Sequence, residues 1–290
     1  MIRGRGITLG GGGNAIVVTV DSGATVYATN GTKTISGVAV DGVAKLKVKA
    51  GTWTVWAELN GDTTSEVEVA VVDDYKMELG FSLPLSSLAE GTLIQIKENG
   101  SGVPFYVAKH NYESGLNGAG RTLVARKECT QKMAWGTGKN AYAGLTLDNW
   151  LNNTYKPTLD SAVQKLIGTT TFYYTYGVKE NKIITLIRSV FIPSLAEYGF
   201  TASGYNTEGS ALPIAYTLQV GTINGTACAQ WTRTPYTGGN TQVAYLTTNH
   251  SYSGSVSSDP FAGARPIFTL PSTAMVNPNP NADGSYTLIV

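Results

Sequence analysis

Short runs that are β-branched, or that strictly alternate apolar with polar positions, dominate the beginning of the chain. They are Ile16-Val17-Val18-Thr19-Val20, Thr25-Val26-Tyr27-Ala28, Lys45-Leu46-Lys47-Val48-Lys49, Thr52-Trp53-Thr54-Val55-Trp56-Ala57-Glu58-Leu59 and Ser65-Glu66-Val67-Glu68-Val69. Asp21-Ser22-Gly23, Asn30-Gly31, Asp41-Gly42, Ala50-Gly51 and Asn60-Gly61-Asp62 separate them, and such groups are the turn chemistry of hairpins. Short strands at this spacing predict a β-sandwich over residues 14–81. In it Lys45, Lys47 and Lys49 face solvent, Leu46 and Val48 face the core, and Trp53 is structural.

Beyond Gly80 the pattern changes. Leu83-Pro84-Leu85-Ser86-Ser87-Leu88-Ala89-Glu90-Gly91 mixes Pro, Ser and Gly and reads as a linker over residues 82–91. Strands resume with Thr92-Leu93-Ile94-Gln95-Ile96, the turn Glu98-Asn99-Gly100, and Pro104-Phe105-Tyr106-Val107-Ala108-Lys109. Helical signals come later. Thr146 or Asp148 can cap a helix through Trp150 and Leu151 to Tyr155, and Pro157 can start the next. Leu159, Val163, Leu166 and Ile167 recur at helical spacing up to Gly168. Residues 193–199 predict a third, short helix ending at glycine. Trp150 is assigned a structural role. Everything else reads as strand and loop, so the chain is mainly β in two domains, the second an α+β domain over residues 92–290. Ahead of both, four consecutive glycines make residues 1–13 a flexible arm.

Composition narrows the function. Charged residues are 14% of the 290, and the formal net charge is +1, which leaves no basic footprint for nucleic acid. No apolar run approaches the roughly 18 residues of a membrane span. The opening Met1-Ile2-Arg3-Gly4-Arg5-Gly6 carries charge without a following apolar core, so synthesis in the cytoplasm without a secretory signal is expected. Cys129 and Cys228 are far apart, and neither has a close Cys or His companion in sequence. Two buried free thiols, and no metal or cofactor, are expected.

From Phe200 to Ala264 the only charges are Glu208, Arg233 and Asp259, among many Gly, Ser, Thr and Asn residues. Few charges and many amphipathic rings characterise recognition surfaces, because Tyr offers contact area at low entropy cost. The candidate ligand-binding residues are therefore Trp231, Arg233, Tyr236, Tyr245 and Tyr252, with Arg233 as a stacking or carboxylate-binding group. Arg265 is expected to be structural, in an ion pair with Glu208 or Asp259. No catalytic set emerges. His110 and Cys129 each read as structural, Asp148 and Asp160 as helix caps, and the second domain is too poor in acids for a glycosidase pair.

The phrase from Ala50 to Gly61 resembles the immunoglobulin-like modules of phage virion proteins and bacterial surface repeats, which implies an Ig-like sandwich serving as spacer or weak binder. Phe105-Tyr106-Val107-Ala108-Lys109-His110-Asn111-Tyr112, Gly120-Arg121-Thr122-Leu123-Val124, Asp148-Asn149-Trp150-Leu151-Asn152, Asn206-Thr207-Glu208-Gly209-Ser210, Trp231-Thr232-Arg233-Thr234-Pro235-Tyr236 and Ala264-Arg265-Pro266-Ile267-Phe268 follow in that order. Together they resemble a domain of unassigned function, found in gut phages and their bacterial hosts, that would cover residues 85–275. The helix–helix–strand order and the closing Arg-Pro strand also look like the C-type-lectin-like fold, in which phage receptor-binding proteins hold a long irregular loop region against a small sheet. Neither the Glu-Pro-Asn or Gln-Pro-Asp loop nor the Trp-Asn-Asp strand of calcium-dependent lectins is present, so no calcium site is carried over. The paired cysteines of the sulfatase-modifying oxidase that shares the fold have no match in Cys228.

These resemblances imply a non-enzymatic phage structural protein, made in the host cytoplasm and residing in the virion as a homo-oligomer. The arm and Ig-like domain would meet other virion proteins. The C-terminal domain would bind a bacterial surface polysaccharide or protein for host attachment. One alternative is a capsid-decoration or tail accessory protein without a dedicated receptor, and a more distant one is a cell-wall hydrolase.

Overall fold

The computed structural model describes residues 14–137, 141–176, 182–239 and 241–290; the arm expected over residues 1–13 lies outside them. Contacts divide the chain into a unit of Met1–Leu83 with Asn277–Asn279 and a unit of Pro84–Val276 with Pro280–Val290. The protein is mainly β, and the helices among the described residues are short.

The first unit contains β1 (Ala15–Thr19), β2 (Thr25–Thr29), β3 (Thr34–Val38), β4 (Val43–Lys47), β5 (Gly51–Leu59), β6 (Asp62–Thr63), β7 (Val67–Val71) and β8 (Tyr75–Glu78). One sheet has the order β4-β1-β8. The other has β3-β2-β5-β6, with β7 also paired to β5. Strand alternation dictates the packing: β4 buries Ala44 and Leu46 and exposes Lys45 and Lys47, as a period of two requires. The inner faces of both sheets form one core, where Ile16, Val18, Leu46 and Met77 join Val26, Trp53, Val55 and Val69. Trp53 is buried in it and donates its indole N–H to the Lys49 carbonyl at 3.0 Å. Asp41-Gly42 and Asn60-Gly61 have positive φ at both positions, the type I′ geometry that matches strand twist and sets register.

β9 (Leu83–Pro84) lies at the boundary. The second unit then contains β10 (Leu93–Glu98), β11 (Ser101–His110), β12 (Arg121–Arg126), β13 (Thr170–Tyr176), β14 (Lys182–Arg188), β15 (Gly221–Ile223), β16 (Thr226–Cys228), β17 (Gln230–Pro235), β18 (Gln242–Leu246), β19 (Tyr252–Val256), β20 (Ile267–Pro271), β21 (Met275–Val276) and β22 (Tyr286–Thr287). Its main sheet has the order β20-β12-β11-β10-β22. Consecutive residues Thr122–Ala125 of β12 and Ile267–Leu270 of β20 are all buried, so these strands are covered on both faces. The unit also holds a separate meander β17-β18-β19 and the ribbons β13-β14 and β15-β16.

The helices are α1 (Ser114–Asn117), α2 (Thr146–Trp150), α3 (Ser161–Leu166) and α4 (Ala215–Leu218). A π-helical turn, Leu151–Tyr155, continues α2, and a 3-10 turn with Pro157 near its start follows. Trp150 packs against Tyr155 with ring centroids 5.7 Å apart. Asp160 caps α3 by accepting from Ala162 N at 2.9 Å. The helix expected over residues 193–199 does not form. Tyr198 N reaches Ser194 O at 3.2 Å, and the chain then leaves at Gly199, φ +85°. The Pro193 carbonyl, which would accept the first helical bond, accepts from Arg233 N at 3.0 Å instead, while Ser194 and Glu197 satisfy each other's backbone donors as in a capping box. Glu197 accepts from Ser194 N at 2.9 Å, and Ser194 Oγ accepts from Glu197 N at 3.0 Å.

Candidate recognition surface

All six residues of β17 are buried, and this decides what Arg233 does. Its guanidinium is fully buried and grips Glu197 with two bonds, Nη1 to Oε2 at 2.6 Å and Nη2 to Oε1 at 3.0 Å. Glu208 lies 3.6 Å from its Nε, and the Tyr173 and Ile192 carbonyls accept from Nε and Nη1, each at 2.9 Å. The Phe172 ring lies 4.8 Å from the guanidinium carbon. Tyr112 donates to Glu197 at 2.5 Å, while Glu208 accepts from Thr175 N and Thr234 Oγ1. Burial holds the Glu208 carboxyl above its usual range against the opposing pull of Arg233. Burial, then the Glu197 charge, pushes the Tyr112 phenol well up. Arg233 was expected to meet a ligand; instead it ties β17 to β13 and to the 191–208 segment beneath the surface.

Glu113 lies at the edge of this network in a left-handed conformation, φ 44° and ψ 53°. Its Oε1 is buried and has no hydrogen-bond partner among the described residues. Burial first, then the Glu197 charge, raises its carboxyl above the ordinary range. A raised carboxyl contributes stability that is complete below the unfolded-state value and is lost as pH rises through the folded-state value. Glu113→Gln, which keeps the shape and removes the charge, should therefore raise the unfolding temperature above neutrality and bring little gain near about pH 4. Thermal melts at both pH values decide this, and an equal effect at both would refute it.

Trp231 is also fully buried. It donates to the Met133 carbonyl at 2.7 Å and lies edge-on to Phe261 at 5.1 Å and Tyr245 at 6.1 Å. Tyr245 in turn packs on Phe261 at 4.8 Å. Trp231 is thus core rather than platform, and the half-buried Tyr245 supports it. Tyr236 and Tyr252 differ. Both are partly exposed, and Tyr205 bridges them at 5.5 Å and 6.1 Å. Phe200 extends the row from Tyr252 at 5.3 Å. Glycines give the rings room: a Cβ on Gly204 would come within 2.4 Å of the Tyr236 ring, and one on Gly254 within 2.7 Å of the Tyr205 hydroxyl. Tyr205 and Phe200 were missing from the sequence-derived set because they precede the densest Tyr region. Gly199 and Gly204 beside them were the available signal.

The remaining candidates are structural. Arg265 is buried without a carboxylate among its described partners. It donates to Gln230 Oε1 at 2.8 Å and to the Arg126, Lys127 and Val220 carbonyls. The expected ion pair fails because Arg233 already holds Glu208, and Asp259 sits on an exposed turn. Asp148 does not cap α2, whose N-cap residue is Leu145 without a side-chain cap bond; it lies buried in the first turn and accepts from Arg188 through both oxygens, at 2.8–3.0 Å. His110 Nε2 meets the Leu88 carbonyl at 2.8 Å, so it carries the proton, and Nδ1 accepts from Thr122 at 3.0 Å. Cys129 instead points its thiol at Gln230, so no nucleophile–base pair is assembled. Among the described residues no three His, Cys, Asp or Glu side chains gather as a metal site.

Residues 119–272 match a family described as a domain of unknown function, DUF6273, which is more than half of the chain. No curated protein matches the sequence. Among solved structures, a DUF4876 family protein from Bacteroides thetaiotaomicron VPI-5482 is similar at 12% identity, over 41% of this chain and 34% of that one. The chain thus spans about a third of that protein's length, and the TM-score is 0.17, too low to carry an argument.

Proposed function

The chain belongs to the DUF6273 family, whose description assigns no activity, and we propose that it is a non-enzymatic phage virion protein that binds a bacterial surface through its second unit. The observation that supports this is the row of rings Phe200, Tyr252, Tyr205 and Tyr236. Each ring is held edge-on by a neighbour, so binding costs little further side-chain entropy. Of the three charges between Phe200 and Ala264, Arg233 and Glu208 are buried, so an uncharged partner meets this stretch with a small desolvation penalty. Flat rings with hydroxyl rims suit the apolar faces and hydroxyl edges of a surface polysaccharide.

Labelled full-length protein, mixed with gut bacterial cells and with polysaccharide extracted from them, tests the proposal. The double substitution Tyr236→Ala and Tyr252→Ala should weaken binding by about 1–3 kcal/mol, the scale of aromatic hot spots, while unfolding stays cooperative. Unchanged binding in the double variant, or no binding to any strain by the wild type, would sink it. A decoration or tail accessory role is favoured by one feature, the exposed Val38, Val40, Val43 and Val72 of the first unit, which suit docking onto other virion proteins. Copy number separates the readings: few copies at a tail tip fit adhesion, and many over the capsid fit decoration.

A further inference from the structure

Cys129 and Cys228, distant in sequence, meet in the fold. A Cβ built on Gly263 would lie 3.3 Å from the Cys129 sulfur and 3.4 Å from the Cys228 sulfur, and one on Gly221 would lie 3.1 Å from that of Cys129. Two glycines therefore clear the space in which both sulfurs sit, each within van der Waals reach of one Cβ position at Gly263. Backbone pairing sets this up: Cys129 N donates to the Thr222 carbonyl at 2.8 Å, and Gly221 is the ladder partner of Cys228. We propose that Cys129 and Cys228 form a thiol–disulfide exchange site that reacts with low-molecular-weight disulfides such as oxidised glutathione and closes to an intramolecular disulfide.

Cys228 is the attacking sulfur. It sits on the short β16 strand, and the neighbouring Cys129, then Arg265 and Lys132, lower its pKa to about 7. The neighbouring Cys228, then burial, push the Cys129 thiol well up, so Cys129 keeps its proton until it resolves the adduct. The Cys228 thiolate attacks one sulfur of the small disulfide, forms a mixed disulfide and expels the first thiolate. Cys129 then loses its proton to that thiolate and attacks the Cys228 sulfur, expelling the second. Two protein thiols are oxidised, and one small disulfide is reduced to two thiols. Access comes through the β15–β16 ribbon, whose strands are three residues long and marginal alone. Glu128 holds the ribbon, accepting from Gly225 N at 2.9 Å and from Asn224 N and Thr222 Oγ1 at 3.2 Å.

The test treats folded, reduced, full-length protein with oxidised glutathione and measures intact mass and thermal unfolding. The wild type should lose the mass of the two thiol hydrogens without retaining an adduct. Its unfolding temperature should rise by several degrees, because the bond closes a long loop of the unfolded chain. Cys129→Ser should stop at a glutathione adduct on Cys228, and Cys228→Ser should form neither product. A wild type that reacts only after denaturation, that keeps a stable adduct, or that matches Cys228→Ser in rate overturns the proposal. The mass reading on the folded wild type stands even where a variant fails to fold.

Discussion

Replacing Arg233 with methionine should destabilise the second unit by about 3–5 kcal/mol, the scale for stranding a buried charge partner. Methionine has a similar reach, so the packing against Phe172 and Phe191 is largely kept. What disappears is the cation that neutralises Glu197 and Glu208, both fully buried. At about 2–4 °C for each kcal/mol in a unit of this size, calorimetry should record a drop of roughly 6–20 °C. The deficit should shrink as pH falls, because carboxyls without their cation become neutral more readily. Converting Glu197 and Glu208 to glutamine in the same chain should restore part of the loss, since a buried ionic group replaced as a whole costs far less than one partner removed. An Arg233→Met protein that melts with the wild type would mean that the network is solvated and holds nothing.

Trp231→Ala should cost a comparable amount, about 3–5 kcal/mol for a fully buried aromatic. The indole packs edge-on against both Phe261 and Tyr245 and donates to the Met133 carbonyl, so truncation leaves both a cavity and an orphaned acceptor. Trp231→Phe separates the two effects. It retains most of the volume and should lose about 1–3 kcal/mol, from the carbonyl left without its donor and the smaller ring. A sugar platform at Trp231 would behave in the opposite way, with normal unfolding and weakened binding. Urea titrations of both variants, read beside Tyr252→Ala, tell core from surface.

The difference between Trp231 and Tyr236 shows where sequence reading stops. Both sit in one short, charge-poor phrase and have similar amphipathic character, and a strand's alternation ought to sort one from the other. On β17 it cannot, because all six residues are buried and a strand covered on both faces has no period to read. Arg233 misled for the same reason. Its carboxylate partners lie 36 and 25 positions away along the chain, at Glu197 and Glu208, and no local pattern announces them. The segment 193–199 carried helix signals at both ends, but Arg233 N of the distant β17 took the Pro193 carbonyl on which the first helical bond depends.

The sequence by itself determined what depends on neighbours in the chain. Asp41-Gly42, Asn60-Gly61 and Asn99-Gly100 became turns with two positive φ values, because the preference for that geometry belongs to the dipeptide. The alternation in β4 chose its buried face, and Asp160 capped α3, again through contacts within a few residues. Only the tertiary structure decided that Arg233 is an anchor, that Arg265 binds carbonyls, and that Phe200 and Tyr205 complete a row of rings. It also brought Cys129 beside Cys228 at Gly263. These outcomes rest on which distant segments exclude water together. A buried charge or thiol takes its character from the groups that replace its solvent, and those groups are chosen by the fold as a whole.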